Sequence, residues 1–168
     1  MFENLKAQKA IDAIAPTLKE LDQKLAAVDA TPDPIDRLVK FFNAVAPIYD
    51  QPEQLNAAVA AAQKAGSKFT ETAEALRDLQ VHVQQSGRDP YGWNRTEKGE
   101  TVTGDNVYLG NIYGRFTKTA NYWQSSFSRD HSYADEDRQI IGGQAKGFVE
   151  SHVPKMHKDI AKITAPKR

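Results

Sequence analysis

The chain has 168 residues, 40% of them hydrophobic and 26% charged, a balance that belongs to soluble globular domains and excludes a disordered chain. Twenty-two basic residues offset twenty-two acidic ones, so no bulk field draws in nucleic acid or an anionic membrane. With no cysteine, disulfides, thiolate metal sites and a thiol nucleophile are excluded, while the redox compartment stays open.

No apolar run reaches the length of a membrane span. The opening MFENLKAQKAIDAIAP is too charged for the uninterrupted core of a secretory signal. Cytoplasmic synthesis is therefore expected, with export by a route that needs no cleaved signal left open.

The first 85 residues read as helices and hold a single glycine, Gly66. Ile11, Ile14, Leu18, Leu21, Leu25 and Val28 recur every three or four positions, which predicts an amphipathic first helix. Pro16 lies inside it and predicts a kink or an early end near Ala15. Ala30-Thr31-Pro32 reads as a turn. Asp33 as N-cap and Pro34 at the first helical position start a second helix, because the carboxylate accepts an orphan N–H and the proline presets φ. Its buried face is Ile35, Leu38, Phe42 and Val45, and Pro47 should close it. Asp50 then caps a third helix, with Leu55, Val59 and Ala62 inward. After a turn at Gly66-Ser67, a fourth helix places Phe69, Ala73, Leu76, Gln80 and Val83 on one face and stops at Ser86-Gly87. Connections this short make successive helices antiparallel neighbours.

The pattern changes at 86. Residues 86–105, SGRDPYGWNRTEKGETVTGD, have no helical period and read as a long ordered loop, with room for a small β-hairpin near 90–105. Asp105 to Ser128 then has Leu109, Ile112, Phe116, Ala120, Trp123 and Phe127 on one face, predicting an aromatic helix. Of the fifteen aromatic residues (two Trp, six Tyr, seven Phe), nine lie between Tyr91 and Tyr133. Ser132 is a suitable N-cap for a last helix reaching about Ile163, with Asp135, Glu136 and Asp137 favoured in its first turn by the helix dipole. Pro154 should kink or restart that helix.

These elements predict an all-α fold: an alanine-rich helical half (1–85), a loop (86–105), and an aromatic helix plus C-terminal helix (106–168), packed together as one domain. The Gly110/Gly114 and Gly143/Gly147 pairs put two glycines on one helix face, a spacing that permits a close crossing.

No nucleotide-binding glycine loop, HExxH helix, GxSxG elbow or EF-hand loop is present, so no cofactor is implied. His152 and His157 stand five apart, about 140° around a helix, instead of sharing a face, so no metal site is expected either. The most chemistry-like residues are Arg129, Asp130 and His131, in the break before the last helix. A histidine beside a carboxylate can serve as general base, and an arginine can steady a developing anion. Tyr91, Trp93, Arg95, Arg115 and Tyr122 interleave aromatic and cationic groups and form the candidate binding set. The balanced charge and the lack of an RNA-binding module argue against nucleic acid.

Two functions follow as expectations. The favoured one is a helical binding or assembly protein that engages a protein partner, or itself as a homo-oligomer, through its aromatic second half. The alternative is a small hydrolase or nuclease-like bacterial effector, with a site where the 86–105 loop meets Arg129 to His131.

Overall fold

In the computed structural model, which describes residues 2–87 and 135–166, the first apolar stripe becomes the buried face of helix α1 (Phe2–Asp29). Asp33 caps α2 (Pro34–Asp50) as its sequence requires: its Oδ2 accepts the Asp36 N–H at 2.9 Å. Then come α3 (Glu53–Lys64), a 3-10 turn (Ser67–Phe69), α4 (Thr70–Ser86) and α5 (Asp135–Thr164). Among the described residues there is no strand, and the fold is an all-α bundle. None of these helices is long and apolar enough to cross a membrane.

Pro47 does not close its helix as expected, and Pro16 and Pro154 interrupt neither of theirs. α1 does not end at Pro16, α2 continues past Pro47 to Asp50, and α5 runs through Pro154 as one helix. A mid-helix proline removes one hydrogen bond and costs about 3 kcal/mol where nothing compensates. Each of the three lies on the exposed face of its helix. The carbonyls of Asp12 and Glu150, one turn before Pro16 and Pro154, sit on the same exposed side of their helices, where water is at hand. The apolar stripe meanwhile continues on the inner side. Because α2 extends so far, Asp50 is its last residue instead of a cap, and Pro52 occupies the N-cap of α3 without a side-chain hydrogen bond.

One hydrophobic cluster runs through all five helices. α1 contacts α2, α3 and α5; α5 lies against α4, α2 and α1. Phe41 is fully buried and meets Phe42 (ring centroids 6.3 Å), Phe148 (6.0 Å) and His152 (6.0 Å), so α2 and α5 interlock through aromatic rings. Ala145, Val149, Val153, Met156, Ile160 and Ile163 form the inner stripe of α5. Connections are tied by side chains: the Gly66 N–H donates to Asn4 Oδ1 at 2.8 Å, fastening the end of α3 to the start of α1. Gly143 and Gly147 face open space, where a Cβ would meet nothing within 4 Å. The close crossing that their spacing permits is not made among the described residues. The predicted hairpin, the aromatic helix and Gly110/Gly114 lie outside those residues.

Candidate functional site

Three of the buried polar side chains, His82, His152 and Asp159, come together between α4 and α5. On α4, Glu71, Ala75, Asp78 and His82 recur every three or four residues and so form one stripe. On α5, His152, Lys155, Asp159 and Lys162 do the same. The helices run antiparallel, and the two stripes meet rung by rung. Lys162 Nζ is 3.7 Å from Glu71 Oε1 at one end, and His82 Nδ1 is 2.8 Å from His152 Nδ1 at the other. Between those rungs Asp159 faces Asp78. An open groove of about 360 Å³ reaches this row from solvent, lined by Glu71, Glu74, Asp78, Lys155, Lys158 and Asp159 among others.

His82, His152 and Asp159 are all buried, whereas Asp78 sits at the groove mouth with its side chain half exposed. The His152 ring is fixed by Phe148 (4.8 Å between centroids) and Phe41. The Ser86 hydroxyl donates to the His82 carbonyl one turn back, so this polar row reaches the end of α4. His82 Nε2 points at Asp78 Oδ2 from 3.5 Å, longer than a good N–H···O bond.

Burial decides how these groups titrate. It pushes the His152 imidazole down to about 4, helped by the neighbouring His82 and by Lys155. Burial also lowers His82, against the attraction of Asp78. The Asp159 carboxyl is pushed up to about 7, first by burial and then by its hydrogen bond and repulsion with Asp78, against Lys162 and Lys158. Asp159 therefore keeps its proton closer to neutrality than an ordinary carboxyl does, and the protonated acid can donate to Asp78. His152 is uncharged and can accept the His82 Nδ1–H.

Two further facts complete the site. Asp159 Oδ2 is buried with no hydrogen-bond partner among the described residues. One donor atom each from Asp78, His82 and Asp159 lie within 4.8 Å of one another, so these three side chains are placed to hold a cation.

Arg129, Asp130 and His131, and Tyr91, Trp93, Arg95, Arg115 and Tyr122, all lie outside the described residues. His157, weighed against His152 as a metal pair, points elsewhere, to Asp22 and Asp29 of α1. The local sequence signal for the α4–α5 site is Asp78-x-x-x-His82, two potential ligands one helical turn apart. No protein-family model, no curated protein and no solved structure matches this chain.

Proposed function

We propose that this chain is a helical binding or assembly protein, whose aromatic-rich second half engages a partner protein or a second copy of the chain. One observation supports this reading above others: the residues flanking 88–134 on both sides are built into one core. Val83 of α4 is buried before that segment, and Ala145 and Val149 of α5 are buried after it, in the same hydrophobic cluster. The bundle thus carries both ends of a segment holding nine of the fifteen aromatic residues. Tyr, Trp and Phe are the residue types enriched where proteins recognise one another, together with the arginines interleaved here.

The test replaces residues 88–134 by a Gly/Ser segment of equal length. Circular dichroism should still report a folded helical bundle, and sedimentation should show that the concentration-dependent mass of the parent chain is gone. A parent chain that stays monomeric at every accessible concentration and recovers no specific partner overturns the proposal. So does a variant that assembles as the parent does.

A further inference from the structure

We propose that Asp78, His82 and Asp159 form a binding site for a divalent first-row metal ion of the zinc type, reached through the groove between α4 and α5. The site lies within the helical bundle, outside residues 88–134, and four of its features point to an ion.

The first is the orphaned oxygen. A buried carboxyl oxygen without a partner is costly to keep, and buried polar groups in proteins are ordinarily hydrogen-bonded or bound to a metal. Asp159 is only 6% exposed, and its Oδ2 lacks any partner among the described residues. The same side chain lines the groove together with Asp78.

The second is the spacing. Around a tetrahedral ion with bonds of about 2.0–2.1 Å, donor atoms stand roughly 3.3 Å apart. His82 Nε2 and Asp78 Oδ2 are 3.5 Å apart, too far for a good hydrogen bond and close to that edge length. Asp159 supplies the third donor within 4.8 Å, so a turn of its carboxyl closes the set.

The third is the orientation of His82. Metal-bound histidines almost always give their other ring N–H to an acceptor, which fixes tautomer and ring plane. His82 Nδ1 is 2.8 Å from His152 Nδ1, which commits that edge of the ring and leaves Nε2 facing the aspartates. His152 is itself packed against Phe148 and Phe41, so the acceptor does not swing away.

The fourth is the donor set. One imidazole nitrogen and two carboxylates suit zinc, cobalt or manganese; calcium and magnesium prefer oxygen alone, and copper(I) prefers sulfur. Three protein ligands leave a coordination position for water on the groove side. Glu71 and Glu74 line the groove along with its three lysines, so the approach is not uniformly cationic.

The experiment uses the untagged full-length chain, stripped with chelator. Zinc is titrated calorimetrically, and cobalt is followed by its visible absorption. One ion should bind per chain, with cobalt giving the strong bands of tetrahedral coordination. Asp78→Asn, His82→Gln and Asp159→Asn should each weaken zinc by more than about 100-fold, and His152→Gln by about 10–100-fold, the usual loss for an outer hydrogen-bond partner. His157→Gln should leave affinity unchanged, because His157 with Asp22 and Asp29 is the other imidazole–carboxylate cluster of the bundle. Asp78 is half exposed, so its variant keeps the fold if the others do not. No zinc uptake by the folded parent at millimolar concentration overturns the proposal. So does binding that survives Asp78→Asn, or that is lost only on changing His157.

Discussion

His157 Nδ1 lies 2.6 Å from Asp22 Oδ1, and the opposite ring nitrogen of the same histidine lies 2.9 Å from Asp29 Oδ2. One imidazole of α5 therefore bridges two carboxylates of α1, and only the protonated ring can donate to both. Burial pulls its pKa down, but the hydrogen bonds and charges of Asp22 and Asp29 outweigh that, and the net shift is upward. A raised folded-state value means that the bridge contributes fully below the ordinary imidazole range and fades as pH rises through the folded value. His157→Gln should cost about 1 kcal/mol at pH 6, as expected of partly exposed pairs, and much less at pH 9. Urea titrations at the two pH values check this, and equal losses at both would remove the electrostatic account.

His152 carries the opposite sign. Its imidazole is held down to about 4 chiefly by burial, so between about 6.5 and 4 the unfolded chain takes up a proton that the folded chain refuses. Stability at this position falls as pH drops through that window, by an amount on the order of 3 kcal/mol. Asp159, raised to about 7, works the other way: its contribution is present below the ordinary carboxyl range and is lost as pH rises towards 7. The parent chain's net pH profile is accordingly flatter than either residue alone would make it. Replacing His152 by Phe should unmask the Asp159 trend, so that the variant gains stability relative to the parent as pH falls from 6.5 to 4.5. Denaturation midpoints across that range are the measurement, and parallel profiles for parent and variant would refute the assignment.

Gly87 ends α4 against Tyr49. A Cβ placed on it would come 1.9 Å from the Tyr49 ring Cδ2 and 2.3 Å from Cγ, which is inside the ring's body and not at a mobile tip. Gly87→Ala should therefore destabilise by about 1–3 kcal/mol, the usual cost of overpacking. Because the obstacle is one ring, Tyr49→Ala in the same chain should recover most of the loss, and thermal unfolding of the two single variants and the double variant measures that coupling. Additive losses would show that something other than Tyr49 confines the position.

Much of the bundle is legible in the sequence because its determinants are local. The Ile11 to Val28 stripe, the Asp33-Pro34 helix start and the inner face of α5 each depend on residues one turn apart. The prolines are misleading only when read as breakers regardless of position: Pro16, Pro47 and Pro154 all fall off the apolar stripe of their helix, and that offset is visible in the spacing. The α4–α5 site is another matter. Asp159 lies between Lys158 and Lys162 and reads as part of a solvated charged face, and an Asp and a His four apart on a helix are commonplace. What makes them a site is the antiparallel register of two helices separated by residues 88–134, which no local pattern encodes. His152 against His82 has the same character, since burial and partner both come from tertiary packing.

The position of α5 in the chain bears on how the protein reaches its folded form. Asp22 and His157 are 135 residues apart in sequence, and Phe41 and Phe42 meet Phe148 only across α3, α4 and residues 88–134. Contacts among α1, α2, α3 and α4 can form as each short connection is synthesised. The cover that α5 lays over three of those helices cannot form until the ribosome has made everything before it. During translation the two phenylalanines thus lack the ring that shields them, and folding carries the slow step expected of contacts distant in sequence. Exposure of nascent apolar surface, more than the final packing, is where this bundle is most open to aggregation and to chaperones.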